Sequence, residues 1–340
     1  MYPFEYQRAD SADAAVRALP ANHSLTGAKL IGGGTNLVDL MKDGVEQPSK
    51  LIDITHLDLE TIERMPNGGV RVSALVRNSD LANHPLIRSR YPLLSQALLS
   101  GASPQLRNMA TTGGNLMQRT RCYYFMDTAF PACNKRSPGS GCAAVKGVNR
   151  IHAVLGVNPH ADEKNICIAT HPSDMCVALA ALNATVQVMG PKGKRAIPVR
   201  DFHRLPGTTP ERDTNLAPDE LITSIELAAD RYAEHSHYTK VRDRQSYAFA
   251  LVSVAAALEM DGQTIRSARL ALGGVAHKPW TSSEAETALS GTTAGPDVFH
   301  HAAELLLAGA SGYEHNKFKI ALAKQSIVRT LTLASRGGAA

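Results

Sequence analysis

Five cysteines in 340 residues all fall between Cys122 and Cys176, and three of them lie in "CYYFMDTAFPACNKRSPGSGC". Thiols crowded in this way could form a disulfide-stapled loop, ligate a metal or cluster, or cluster by chance. In a reducing compartment, cysteines of a protein this size are more often free, liganding or buried than cross-linked. Four thiolates are what a 4Fe–4S cluster requires, and four sulfurs serve zinc equally well. The spacings C-x10-C, C-x8-C and C-x24-C over Cys122, Cys133, Cys142 and Cys167 match no compact ferredoxin pattern, and they lack the short pairs usual for zinc. Cys176 falls one turn into the apolar stretch "DMCVALAALNA", where a thiol can act as a small hydrophobe. An exchange of roles between Cys167 and Cys176 stays open.

Two glycine clusters carry a second chemistry. Gly32-Gly33-Gly34-Thr35 joins an apolar strand to a helical pattern with Leu37, Leu40 and Met41 on one face. Amides in such a turn can cradle a phosphate, because the backbone approaches closely and the helix start adds a favourable dipole. A Walker loop would need Gly-Lys-Ser/Thr where Thr35-Asn36-Leu37 stands, and a Rossmann fingerprint would need a glycine at Leu37. The bland reading is a tight turn. The second cluster, Thr111-Thr112-Gly113-Gly114-Asn115, favours a ligand with two phosphates and many hydroxyls, such as a dinucleotide. No Ser/His/Asp arrangement or metalloprotease helix is present, so no catalytic residue is assigned.

The elements that position these residues follow from periodicity and breakers. "MYPFEYQRADSADAAVRAL" reads as a strand and an amphipathic helix without the apolar core of a leader, which implies a cytoplasmic protein. No run approaches the ~18 apolar residues of a membrane span. The charge of +5, spread along the chain, gives no nucleic-acid footprint. Short strands are expected at "SKLIDITHL", "GGVRVS" and "DELITSIEL", and an apolar helix at "YPLLSQALLSGAS". Cys122–Gly141 has little periodicity and reads as a long loop. Ser173 is placed to cap a helix, Gly190–Gly193 marks a hairpin, and "MDGQ" a tight turn between long strands. Helices follow from Ser282, and the change of pattern near Ala228–Arg231 suggests a boundary.

Taken in order, "LIGGGTNLVDLMK", "ATTGGNL", "HPSDMCVALAALNA", "DELITSIEL", "YTKVRDRQSYAFALVSVAAAL" and "LALGGVAHKPW" resemble the FAD-binding medium subunits of the molybdenum hydroxylases, the xanthine dehydrogenase family. That resemblance implies an α+β fold. A two-part FAD-binding domain of the vanillyl-alcohol-oxidase type would span 1–228, and a CO-dehydrogenase-flavoprotein-like α/β domain with a three-stranded sheet would span 229–332, before a tail at 333–340. It implies that Leu30, Ile31, Gly32, Gly33, Gly34, Thr35, Asn36 and Leu37 wrap the FAD pyrophosphate. Thr111, Gly114, Asn115 and Gln118 would extend the cradle beside Ala102. Ser173 and Asp174 would hydrogen-bond the cofactor, Ile222 would lie beside the flavin ring, and Lys240 near its polar edge.

The family pattern keeps the Gly-Gly-Asn cluster close to the Ser-Asp pair, whereas 57 residues separate Asn115 from Ser173 here. The insertion, about 119–170, resembles that of the flavin subunits of periplasmic-type aldehyde oxidoreductases and 4-hydroxybenzoyl-CoA reductase, which carry a 4Fe–4S cluster. The resemblance therefore implies FAD and a 4Fe–4S cluster on Cys122, Cys133, Cys142 and Cys167; Arg119, Arg121, Lys135 and Arg136 near the loop would offset its charge, be solvated, or contact a partner subunit. It implies partners too: a large molybdenum-cofactor subunit, a small 2Fe–2S subunit and an external electron acceptor. Export in a folded complex, on a partner's signal, would be compatible with the missing leader. A stand-alone FAD oxidoreductase with a structural zinc loop is the competing reading.

Overall fold

The computed structural model describes residues 1–22, 26–158 and 160–338. Three sheets organise the chain. β1 (Glu5–Arg8), β2 (Ala28–Ile31) and β3 (Lys50–Asp53) form a parallel sheet in the order β1-β3-β2. β4 (Ile62–Arg64), β5 (Val70–Ser73), β6 (Thr185–Gly190), β7 (Gly193–Pro198) and β8 (Leu221–Leu227) form an antiparallel sheet in the order β4-β5-β8-β6-β7. The segment with all the cysteines is thus inserted between β5 and β6, which β8 joins in one sheet. Gly190 pairs with Gly193 at the expected hairpin.

The third sheet comprises β9 (Ser236–Val241), β10 (Val252–Asp261), β11 (Thr264–Gly273) and the two-residue β12 (Thr292–Thr293), in the order β12-β11-β10-β9. It has four strands where three were expected, because Thr292 and Thr293 pair with Ile265 and Thr264 at its edge. β10 is apolar on both faces because both faces are buried. Val252, Val254, Ala256 and Leu258 pack with the helices Ser283–Leu289, Pro296–Leu306 and Phe318–Ser335. Ala255 and Ala257 join the core beneath the helices Pro92–Ser100 and Asp174–Ala181. Residues 333–335 of the expected tail complete the last helix, and 339–340 lie outside the described residues. No described helix is long and apolar enough to cross a membrane.

The stretch around Gly113–Gly114 is a short helix, Thr112–Leu116. The Thr111 hydroxyl accepts from Gly114 N–H at 3.1 Å, so the cap outweighs two poor helix formers. Between Cys122 and Gly141 the chain is irregular apart from one turn of helix, Tyr123–Met126.

Candidate functional site: a cleft between the glycine clusters

The two glycine clusters pack against each other. A Cβ on Gly33 would stand 1.9 Å from the carbonyl oxygen of Met109, and one on Gly32 3.1 Å from Thr111 Oγ1. Only a residue without a side chain lets the loop after β2 lie on the backbone before Thr111. Gly34 takes a positive φ of 72°, also suited to glycine. The second cluster is anchored in turn: Thr112 N–H donates to Val76 O at 2.9 Å and Gly113 N–H to Ala74 O at 2.7 Å.

Above these clusters opens a cleft of about 1100 Å3. Sixteen of the seventeen residues expected to hold the cofactor line it: Leu30 to Leu37, Ala102, Thr111, Gly114, Asn115, Gln118, Ser173, Asp174 and Ile222. Among the described residues, the amides of Gly32, Gly33, Gly34 and Thr35 have no protein acceptor. The buried Asn36 Nδ2 also lacks a partner. A row of free donors beside a bare backbone fits an anionic dinucleotide such as FAD. Ala102 holds φ 51°, a strained conformation for alanine, at the cleft wall.

The seventeenth residue, Lys240, stands behind the wall. Its ammonium donates to Asp174 Oδ2 at 2.7 Å and Ser100 O at 3.0 Å, while Tyr238 Oη donates to Asp174 Oδ1 at 2.7 Å. Lys240 therefore acts on the cleft through Asp174, which β9 fixes from both sides. Ser173 caps its helix, accepting from Cys176 N–H at 3.1 Å, and donates to Asn115 Oδ1 at 2.6 Å. Gln118 Nε2 donates to the same oxygen at 2.6 Å. Sequence reasoning missed the segment Asp243–Phe249, which brings Tyr247 and Phe249 to the cleft from beyond β9. Arg244 lies over the Tyr247 ring and Arg121 over Phe249. No local spacing reports an approach that depends on how β9 packs.

All five cysteines are free thiols, so no disulfide staples the loop. Cys122, Cys133, Cys142 and Cys167 come together with Phe125, Ala144 and Ile168, and Cys133 pairs with Cys142 as an isolated antiparallel bridge. Cys176 lies in a different core, among Met175, Val177 and Leu179. Burial, then the nearby Cys167, Cys133 and Cys142, push the Cys122 thiol far up; burial pushes Cys167 up to about 12 despite Lys135. With Cys122, Cys142 and Cys167 this costly to ionise alone, the four sulfurs form a donor set that a cation cluster would complete. His152 Nε2 is 3.0 Å from Cys122 Sγ, and burial lowers its pKa to about 4.

The charges near this loop are only partly as expected. Lys135 is buried and pairs with Asp213, and also donates to Pro210 O. Arg119 bonds Glu46 at 2.7 Å and Asp213 at 2.8 Å. Burial opposes ionisation of Asp213, yet Lys135 and Arg119 outweigh it and hold its carboxyl well below the usual range. Arg136 is spent on the carbonyls of Tyr124, Phe125 and Phe130, and Arg121 sits 3.7 Å from Asp39. The Arg119 N–H donates to Asn36 Oδ1 at 2.9 Å, which ties the cysteine loop to the glycine loop.

Residues 2–229 match the FAD binding domain in molybdopterin dehydrogenase, and residues 236–334 match the CO dehydrogenase flavoprotein C-terminal domain. The chain belongs to the FAD-binding medium subunits of the molybdenum hydroxylase family. It is thus a subunit of an oxidoreductase complex, with a cleft built for FAD. Among these flavoprotein subunits it is 51% identical over 334 residues to the aldehyde oxidoreductase FAD-binding subunit PaoB of Escherichia coli, covering 97% of this chain and 98% of that one. It is 30% identical to the glyceraldehyde dehydrogenase medium chain of Sulfolobus acidocaldarius, over 88% and 85% of the two chains. The structure of carbon monoxide dehydrogenase from Hydrogenophaga pseudoflava superimposes with a TM-score of 0.75 at 26% identity, covering 99% of this chain and 100% of that one.

Proposed function

We propose that this chain is the FAD- and 4Fe–4S-containing electron-transfer subunit of a molybdenum-dependent aldehyde oxidoreductase. The aldehyde is oxidised on a large partner subunit bearing the molybdenum cofactor. Electrons reach this chain from the 2Fe–2S clusters of a small partner subunit and leave to an external acceptor. Likeness to an aldehyde oxidoreductase subunit over almost the whole chain supports the reaction class. The free thiols suit assembly in a reducing cytoplasm, and passage of the folded complex to the periplasm on a partner's signal is compatible with that.

The observation that carries the cluster is the donor set: four free cysteines gathered in one insertion, bound through Arg119 to the glycine loop. Zinc bound by four sulfurs at ~2.3 Å would hold them only about 3.8 Å apart. Such sites usually pair their cysteines at short spacings along the chain, which Cys122, Cys133, Cys142 and Cys167 lack.

Bound FAD supplies a two-electron carrier that can also exchange single electrons. The chain's own residues do the rest. The amides of Gly32–Thr35 and Asn36 Nδ2 meet the negative charge of its phosphates. Ser173 and Gln118 orient Asn115, and Ile222 gives the ring an apolar wall. Asp174, held by Tyr238 and Lys240, presents a fixed carboxylate. Tyr247 and Phe249 line the cleft from the far side of β9.

The test is flavin, iron and sulfide analysis of the anaerobically purified complex, with each partner's content subtracted. About one FAD and four irons on this chain are expected. Zinc without iron on this chain would overturn the cluster, and a chain without flavin would overturn the whole reading.

A further inference from the structure

Away from the cleft and the cysteine loop, His171, Cys176 and His203 bring one ligand atom each to within 4.8 Å of one another. All three are buried, at 8%, 0% and 2% exposure. His203 Nε2 lies 2.9 Å from the carbonyl of Leu116, so it carries the proton and leaves Nδ1 as a lone pair. That Nδ1 has no partner, and neither has His171 Nε2. The two rings stand 4.0 Å apart, tilted by 44°, without a hydrogen bond between them. Unpartnered polar atoms inside a core are costly, and natural interiors keep few of them.

We propose that His171, Cys176 and His203 bind a zinc ion, at a site separate from the four cysteines of the inserted loop. Two imidazoles and a thiolate are a zinc donor set, and sulfur with nitrogen selects against calcium and magnesium. Zn–N bonds of ~2.1 Å and Zn–S of ~2.3 Å place ligand atoms roughly 3.5 Å apart, so side-chain shifts of about 1 Å close the present triangle. The Leu116 carbonyl is the outer acceptor that metal-bound histidines characteristically have, fixing tautomer and ring orientation. On binding, the Cys176 thiol loses its proton to solvent and the sulfur takes the metal in its place. Three protein ligands leave one tetrahedral position open.

The placement gives the ion a purpose. His171 lies in the irregular stretch after Cys167, Cys176 sits on the helix that begins with Asp174, and His203 follows β7 and the helix Val199–Phe202. Leu116 ends the helix that carries Gly114 and Asn115. One ion therefore braces, from behind, both walls that meet at Asn115 and Ser173. Zinc has no redox chemistry, so it leaves electron flow to the other centres.

The experiment uses the untagged, co-expressed complex, washed with a mild chelator and titrated with Zn2+ and, separately, Co2+. About one zinc beyond any held by the partners is expected. Added cobalt should give a thiolate-to-metal charge-transfer band. Cys176→Val, which keeps the core filled, and His203→Gln should each weaken zinc binding at least about tenfold, while FAD and iron stay at wild-type levels. Cys142→Ser should lose iron and keep zinc. Should a variant fail to fold, seen as lost flavin, the folded wild-type complex still decides: no cobalt–thiolate band refutes the site. Undiminished zinc in a folded Cys176→Val complex refutes it as well.

Discussion

Gly33→Ala is the substitution the cleft can least absorb. The new Cβ would lie 1.9 Å from Met109 O and 2.7 Å from Met109 C, whereas contacts under 3.0 Å are essentially never seen, so one backbone must retreat by at least about 1.1 Å. Met109 is not free to move. Its carbonyl accepts from the Arg77 side chain, and the next carbonyl, of Ala110, accepts from Asn78 N–H at 2.9 Å. The glycine loop moves instead, carrying the amides of Gly32–Thr35. A donor drawn back about 1.1 Å from a bond of about 2.9 Å no longer makes that bond. Losing one charge-assisted hydrogen bond costs about 1.5–3 kcal/mol, or about 10- to 150-fold in affinity. The assay is a fluorescence titration of FAD into the deflavinated complex, beside Gly295→Ala, whose Cβ meets nothing within 4 Å and which should bind normally. Gly33→Ala binding FAD within about twofold of wild type would falsify the close packing of the two clusters and the role given to these amides.

Lys240→Met strands the carboxylate of Asp174, 8% exposed, with only Tyr238 as donor; urea unfolding should show a loss of about 3–5 kcal/mol, partly restored by adding Asp174→Asn. His277 is buried, and that burial, followed by Lys135, lowers its pKa to about 3. Its folded pKa lies below the unfolded one, so its stability contribution is complete above pH ~6.5 and lost as pH falls toward 3. By pH 5.5 it should account for about 1.4 kcal/mol of lost stability, and His277→Phe should flatten the dependence of urea unfolding on pH over that interval. Cys142→Ser should lower iron while leaving flavin near wild type, because Cys142 lies outside the cleft; equal loss of both would contradict separate sites.

Local patterns were legible where the physics is local. The Ser173 cap, the hairpin at Gly190–Gly193 and the apolar helix before Gly101 follow from turn chemistry and spacing. The glycine clusters announced a phosphate site, but not that they touch, since Gly33 and Met109 are 76 positions apart. Cys176 looked like an ordinary core thiol because one of its histidine neighbours, His203, comes from another segment. The partners of Arg119, at Glu46 and Asp213, are likewise invisible along the chain. Tyr247 and Phe249 carry no signal in their own segment; the turn after β9 aims them.

The bond from Arg119 to Asn36 makes one anchor of two loops that lie 83 residues apart in the chain. One side chain, buried between Glu46 and Asp213, anchors the entrance to the cysteine loop, and its own amide holds the end of the glycine loop. Lys135, two residues from Cys133, grips the same Asp213. A shift of either loop is therefore passed to the other through the same ion pairs. Substituting Arg119 would thus loosen the glycine loop and the cysteine loop together, although only one residue is changed.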